Sequence, residues 1–128
     1  MSIAKSLTEV VKLRGKVVHL SLQKSMDLVC TNMMCEKVTE ACICRLERSL
    51  QKMDTDTLLS VDLRDNALTQ LPPSLVAKVS LDNDTKTRWK ALQSIDLRGN
   101  SVNETDPIVV QIRESYPDIE VLLQDEGK

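Results

Sequence analysis

The sequence predicts an α/β fold of stacked strand-and-helix units whose strands form one parallel sheet. Two observations carry this reading. A pattern occurs twice, as LLSVDLRDNAL over residues 58–68 and as LQSIDLRGNSV over residues 92–102. Within each copy apolar and polar residues alternate, as in a strand, while stretches between the copies place apolar residues at helical spacing. Both copies fit L-x-x-L-x-L-x-x-N-x-L. The matching residues are Leu58, Val61, Leu63, Asn66 and Leu68, then Leu92, Ile95, Leu97, Asn100 and Val102. One unit of this kind cannot bury its own apolar edge, so units stack and share a core.

The elements follow in chain order. Residues 1–16 are predicted to cap the stack, with Ile3, Leu7, Val10 and Val11 on one side of a helix over residues 3–13. A weaker copy of the motif, VVHLSLQKS at 17–25, puts Val17, Leu20 and Leu22 at the apolar positions and Ser25 in the Asn slot. Residues 33–53 read as a helix. Met34, Val38, Ala41, Cys42, Leu46, Leu50 and Met53 form its apolar face, and Glu36, Lys37, Glu40, Arg45, Glu47 and Arg48 its exposed one. Leu71-Pro72-Pro73 closes the turn after the first full copy, and residues 82–88, DNDTKTR, contain nothing apolar and read as a loop. Thr105-Asp106-Pro107 is a helix start, and the helix through Ile108, Val109, Ile112 and Arg113 stops before Pro117. A last weak copy, YPDIEVLLQ at 116–124, places Tyr116, Ile119 and Val121 at apolar positions and Gln124 in the Asn slot. The units therefore span 17–57, 58–91, 92–115 and 116–124, with a polar tail at 125–128, all in one domain.

On these motif residues the chain resembles the leucine-rich-repeat family, as a short irregular member. The resemblance implies a short right-handed solenoid of about four parallel strands with outer helices and an N-terminal helical cap. It also implies that Asn66 and Asn100 are buried, with their amides bonded to backbone in their own bend and in the neighbouring unit. The unit starts are spaced by 41, 34 and 24 residues. Only the last falls in the usual range of roughly 20–29, so the longer units carry larger helices or loops.

Composition narrows the function. The chain has 128 residues, 17 basic and 19 acidic, for a net charge of −2. That balance argues against general nucleic-acid binding. Charge is unevenly spread: residues 1–26 carry five bases and one acid, and residues 103–128 carry two bases and seven acids. The basic, acid-poor start is weakly like a mitochondrial presequence, and a first helix of the fold is the preferred reading of it. No apolar run approaches the ~20 residues of a membrane span. Cys30, Cys35, Cys42 and Cys44 have spacings that match no common zinc or redox motif. They read as reduced thiols filling the core, which places the chain in a reducing compartment such as the cytoplasm. No cofactor or metal is expected. Catalysis is not expected either, because an open sheet face would not exclude water and the only imidazole is His19. Trp89 reads as a core residue packed under the outer segment, or as an exposed anchor beside Arg88 and Lys90.

The outward-facing strand residues hold the informative pattern. Aligned units place Ser21, Asp62, Asp96 and Glu120 in one row, and Gln23, Arg64, Arg98 and Leu122 in the next. His19, Ser60, Ser94 and Asp118 form a third. Carboxylates beside guanidiniums make stripes about 4.8 Å apart. Such stripes can neutralise each other in solvent, or they can orient a partner. The resemblance implies the second: a non-enzymatic protein–protein interaction module, an adaptor or small scaffold. Its partner-binding residues would be Ser21, Gln23, Asp62, Arg64, Asp96, Arg98 and Glu120. Two alternatives stand beside it. One is a permanent accessory subunit of a large mitochondrial, ciliary or ribonucleoprotein assembly, seated by the basic N-terminal segment on an acidic surface or RNA. The other is a protein inhibitor of an enzyme.

Overall fold

Ala4, Leu20, Val61, Ile95 and Val121 stand opposite one another across five parallel strands and form the central inner row of the sheet. The computed structural model describes residues 2–23, 43–79 and 86–123. Strands β1 (Ile3–Ala4), β2 (His19–Ser21), β3 (Ser60–Asp62), β6 (Ser94–Asp96) and β7 (Glu120–Leu122) lie in that order in an open sheet. Their inward side chains and the outer segments bury an aliphatic core. Leu22, Leu46, Leu50, Leu58, Leu63, Leu75 and Leu97 are almost wholly excluded from solvent. All ten motif residues of the two full copies are buried, from Leu58 through Leu68 and from Leu92 through Val102. The fold is thus α/β with a parallel sheet, as the alternation and the helical spacing require.

Three short helices and a ribbon connect the strands. Helix α1 (Leu7–Lys12) starts at Ser6, whose hydroxyl accepts the Glu9 N–H at 3.2 Å. Glu9 reaches back to accept the N–H of Lys5, the residue before the cap, at 3.0 Å, a variant of the capping box. Helix α2 (Cys44–Leu50) buries Leu46 and Leu50. Helix α3 (Pro107–Ser115) begins as expected: the Asp106 carboxylate accepts the Ile108 N–H at 2.8 Å, and Pro107 occupies the position where no donor is needed. Between β3 and β6 the chain makes a 3-10 turn (Pro73–Leu75) and an antiparallel ribbon of β4 (Lys78–Val79) and β5 (Lys86–Thr87). No helix among the described residues is long and apolar enough to cross a membrane.

Several expectations are corrected. The sheet has five strands, because residues 3–4 pair with β2 before the helix begins. Ser2 supports this by accepting the Val18 and His19 N–H groups at 2.8 and 3.1 Å. The helix therefore starts at Leu7, and only Leu7 and Val10 of the predicted apolar side are buried there, while Ile3 and Val11 are exposed. The described part of the predicted 33–53 helix ends at Leu50, and Met53 reaches the core from the turn that follows. The unit at 58–91 carries a 3-10 turn and a ribbon among its described residues. Lys86 and Thr87, predicted as loop, pair with Val79 and Lys78. Cys44 is exposed at the start of α2 and fills no core space. Cys30, Cys35, Cys42, Ser25 and Gln124, with the 125–128 tail, lie outside the described residues.

The last strand is displaced from its predicted alignment. Glu120 stands opposite Ser94, and Leu122 opposite Asp96. The motif at 116–124 had put Glu120 beside Asp96, two residues away. A two-residue shift leaves every side chain on the same face, so alternation alone does not detect it. The anchor of α3 decides the matter. The Tyr116 hydroxyl donates to the Val76 carbonyl and accepts the Trp89 N–H at 3.1 Å, which fixes where the helix ends. Pro117 and Asp118 are then consumed in the turn before the strand begins.

Candidate functional site

The exposed face of the sheet is built by residues two apart on each strand. Side chains at that spacing share a face, so Asp62 meets Arg64 and Asp96 meets Arg98 within one unit. The Arg64 guanidinium donates to both Asp62 oxygens, with Nε at 3.0 and 3.1 Å and Nη2 at 2.8 Å. Arg98 repeats the fork on Asp96 at 2.9 and 2.6 Å. Each aspartate also accepts the backbone N–H of its own arginine, at 3.1 Å for Asp62 and 3.2 Å for Asp96. Arg64 Nε lies 3.6 Å from Asp96 Oδ2 as well, which joins the two units into one run of alternating charge. Gln23 donates to Asp65 at 2.9 Å and not to a member of the arginine row. His19 Nδ1 and Ser60 Oγ are 2.6 Å apart in the row beside it.

Of the predicted partner-binding residues, the structure brings together Asp62, Arg64, Asp96 and Arg98. Ser21 sits beside Asp62, and Gln23 lies next to the run through Asp65. Glu120 is removed from the aspartate row by the register of β7, and Leu122 takes its place opposite Asp96. The row beside it becomes His19, Ser60, Ser94 and Glu120. Asp118 leaves that row and stands exposed in the turn.

These aspartates are less solvated than exposed strand residues usually are. The Asp96 side chain is only 15% exposed and that of Asp62 22%, against 50% for Arg98. Burial pushes the Asp96 carboxyl up. The bonds from the Arg98 side chain and backbone, with the charges of Arg98 and Arg64, outweigh it and hold the group below its usual value. The same contacts raise both arginines, through the side-chain bond to Asp62 for Arg64 and to Asp96 for Arg98. Because Asp96 binds its proton less readily folded than unfolded, its contribution is fully present above the unfolded value near pH 4. It is lost as the pH falls through the lower folded value. Asp96→Asn is therefore expected to cost about 1–2 kcal/mol near neutrality and progressively less below pH ~4. Paired denaturant titrations of wild type and variant check this, and a difference that does not shrink in acid contradicts it.

Beneath the face, two asparagines hold the bends that follow the strands. Asn66 Nδ2 donates to the carbonyls of Leu22, Leu63 and Arg64 at 2.8, 2.9 and 3.1 Å. Asn100 Nδ2 donates to Leu63 and Leu97 at 2.7 and 3.1 Å, and its oxygen accepts the N–H groups of Asn66 and Leu68 at 3.1 and 3.0 Å. Each asparagine thus ties its own bend to the preceding unit, which keeps the arginine and aspartate rows aligned. Gly99 takes φ +78°, and a Cβ there would collide with Asp65 Oδ1 and lie 2.9 Å from the Asp65 nitrogen. The difference between RDN and RGN in the two copies has this cause: Asp65 of one bend passes over residue 99 of the next.

Sequence reasoning missed Ser74, Glu47 and the cations of α2 as a group. Ser74 is fully buried, and its N–H and hydroxyl donate to Glu47 at 2.9 and 2.6 Å. The Trp89 indole N–H donates to the Ser74 carbonyl at 2.6 Å, and Trp89 is 2% exposed, so the core reading of Trp89 is the right one. Nothing in the local pattern flags Ser74, because its partners come from 15 and 27 residues away. Arg45 and Arg48 of α2 meet Arg14 and Lys52 around a groove between α1 and α2.

Comparison with protein-family models, with curated proteins and with solved structures returned no match to this chain.

Proposed function

We propose that the chain is a non-enzymatic protein–protein interaction module of the leucine-rich-repeat type, acting as an adaptor or small scaffold through its exposed sheet face. The observation that carries the reading is the joined run Asp62–Arg64–Asp96–Arg98. Asp62 and Asp96 stand opposite each other on adjacent strands, Arg64 and Arg98 follow just past the strand ends, and half of the Arg98 side chain remains open to solvent. The repeated bonding of Asn66 and Asn100 supports the family reading, since it links successive units in the manner the resemblance implies. Asp96 is held charged near neutrality, which suits a docking role better than a proton-transfer one. A face of this kind orients a partner with complementary charge and speeds its approach. With a small sheet, the contact area is about 800 Å² or less on this side.

The test is binding by the double variant Arg64→Glu/Arg98→Glu to the partner recovered by affinity purification, followed by surface resonance. The expected result is a loss of about tenfold or more, with the association rate and its salt dependence changing first. Arg64→Gln/Arg98→Gln is the gentler comparison, because it removes charge without adding repulsion beside Asp62 and Asp96. It is expected to lose less. A reversed variant that melts normally and binds as wild type overturns the docking face.

A further inference from the structure

The groove between α1 and α2 encloses about 450 Å³ and shares no residue with the sheet face. Arg14, Arg45, Arg48 and Lys52 line it, together with Val11 and the buried Leu7 and Val10. Val11 is 65% exposed, the most open large apolar side chain among the described residues. Several cations elsewhere are matched by carboxylates: Lys16 meets Asp54, Arg64 Asp62, Lys90 Asp56, Arg98 Asp96 and Arg113 Glu104. No carboxylate among the described residues pairs with the four in the groove.

The cause lies in the two helices themselves. Each contributes one acid, and each acid is committed to a structural task. Glu9 accepts the Lys5 N–H at the start of α1. Glu47 holds the buried Ser74 and the Gln51 amide at 2.9 Å. What remains around the groove is positive charge beside an apolar strip. Like charges brought together without a counter-charge repel, and the repulsion is relieved by an anionic occupant.

We infer that this groove docks a short acidic segment of another protein, one carrying several carboxylates and an apolar residue that packs on Val11. The sheet-face reading does not enter this inference. Protein fits better than nucleic acid or an anionic membrane. The groove's lining contains no aromatic side chain on which a base could stack, and the chain's net charge of −2 opposes an extended polyanion. A short segment gains from charge pairing and apolar contact at once, without bringing a long anionic surface against the acidic remainder.

The experiment is an amide-resonance titration of the full chain with a short synthetic peptide of Glu and Leu. A Lys and Leu peptide, a single-stranded oligonucleotide and phosphatidylserine vesicles serve as the other arms. The expected result is saturable shifts confined to the groove, at Thr8, Val11, Arg45, Arg48 and Ser49, that weaken with salt. Arg45→Glu/Arg48→Glu is expected to weaken the acidic peptide about tenfold, and Val11→Ser by a smaller factor, while Arg64→Glu/Arg98→Glu leaves it unchanged. If the reversal disturbs the fold, Arg45→Gln/Arg48→Gln must show the same loss in smaller measure with an unaltered melt. Absence of shifts, shifts centred on the sheet face, or equal binding of the Lys and Leu peptide overturns the inference. So does tighter binding of the oligonucleotide or of the vesicles.

Discussion

Asn100→Ala is expected to lower stability by about 3–4 kcal/mol, because it strands three buried backbone groups at once and weakens the bonding of a fourth. The Leu97 carbonyl loses its side-chain donor, the Asn66 and Leu68 N–H groups lose their acceptor, and the Leu63 carbonyl keeps only its bond from Asn66. For a chain of this length the corresponding fall in Tm is about 10–15 °C. Asn100→Asp distinguishes hydrogen bonding from packing. It keeps the shape and the acceptor, loses both donated bonds and places a charge where the residue is 3% exposed. It is expected to be at least as destabilising as the alanine. Asn66→Ala is expected to follow with a somewhat smaller cost, since one of its three donated bonds, to Arg64, is only part-buried. Thermal and denaturant melts check the series, and an Asn100→Ala variant within about 1 kcal/mol of wild type contradicts the role assigned to the bend.

Trp89→Ala is expected to cost about 3–5 kcal/mol. The side chain is the largest in a mostly aliphatic core, where Tyr116 is the other buried aromatic residue. Its indole N–H bonds to Ser74, and its backbone N–H is held by Tyr116. Those two contacts join the 3-10 turn to the end of α3. Loss of the ring opens a cavity and also leaves the Ser74 carbonyl without its indole partner. Trp89→Phe separates the two effects, because it restores most of the volume and none of the hydrogen bond. It is expected to recover more than half of the loss. Had Trp89 been an exposed anchor, both variants would melt as wild type.

The parallel sheet followed from the stacking of repeated units, and the core from alternation in VDL and IDL, which dictates that Val61, Leu63, Ile95 and Leu97 share a face. The start of α3 followed from Asp106-Pro107, since both the cap and the missing donor are local. The pairing of Asp62 with Arg64 and of Asp96 with Arg98 was visible for the same reason: residues two apart on a strand are neighbours whatever the rest of the chain does. The extra strand at residues 3–4 was not, because two residues carry no period of their own.

The sequence by itself determined the α/β class, the inner and outer faces of the three central strands and the charge stripe on the outer face. Each of these rests on periodicity or on neighbours within one element. Only the tertiary structure decided the register of β7, the commitment of Glu47 to Ser74 and the meeting of Arg14 with Arg45, Arg48 and Lys52. A shift of two residues conserves the facing of every side chain, so alternation is blind to it. The other two depend on which distant segments the packed core brings together, and that choice is made by the whole set of buried contacts at once.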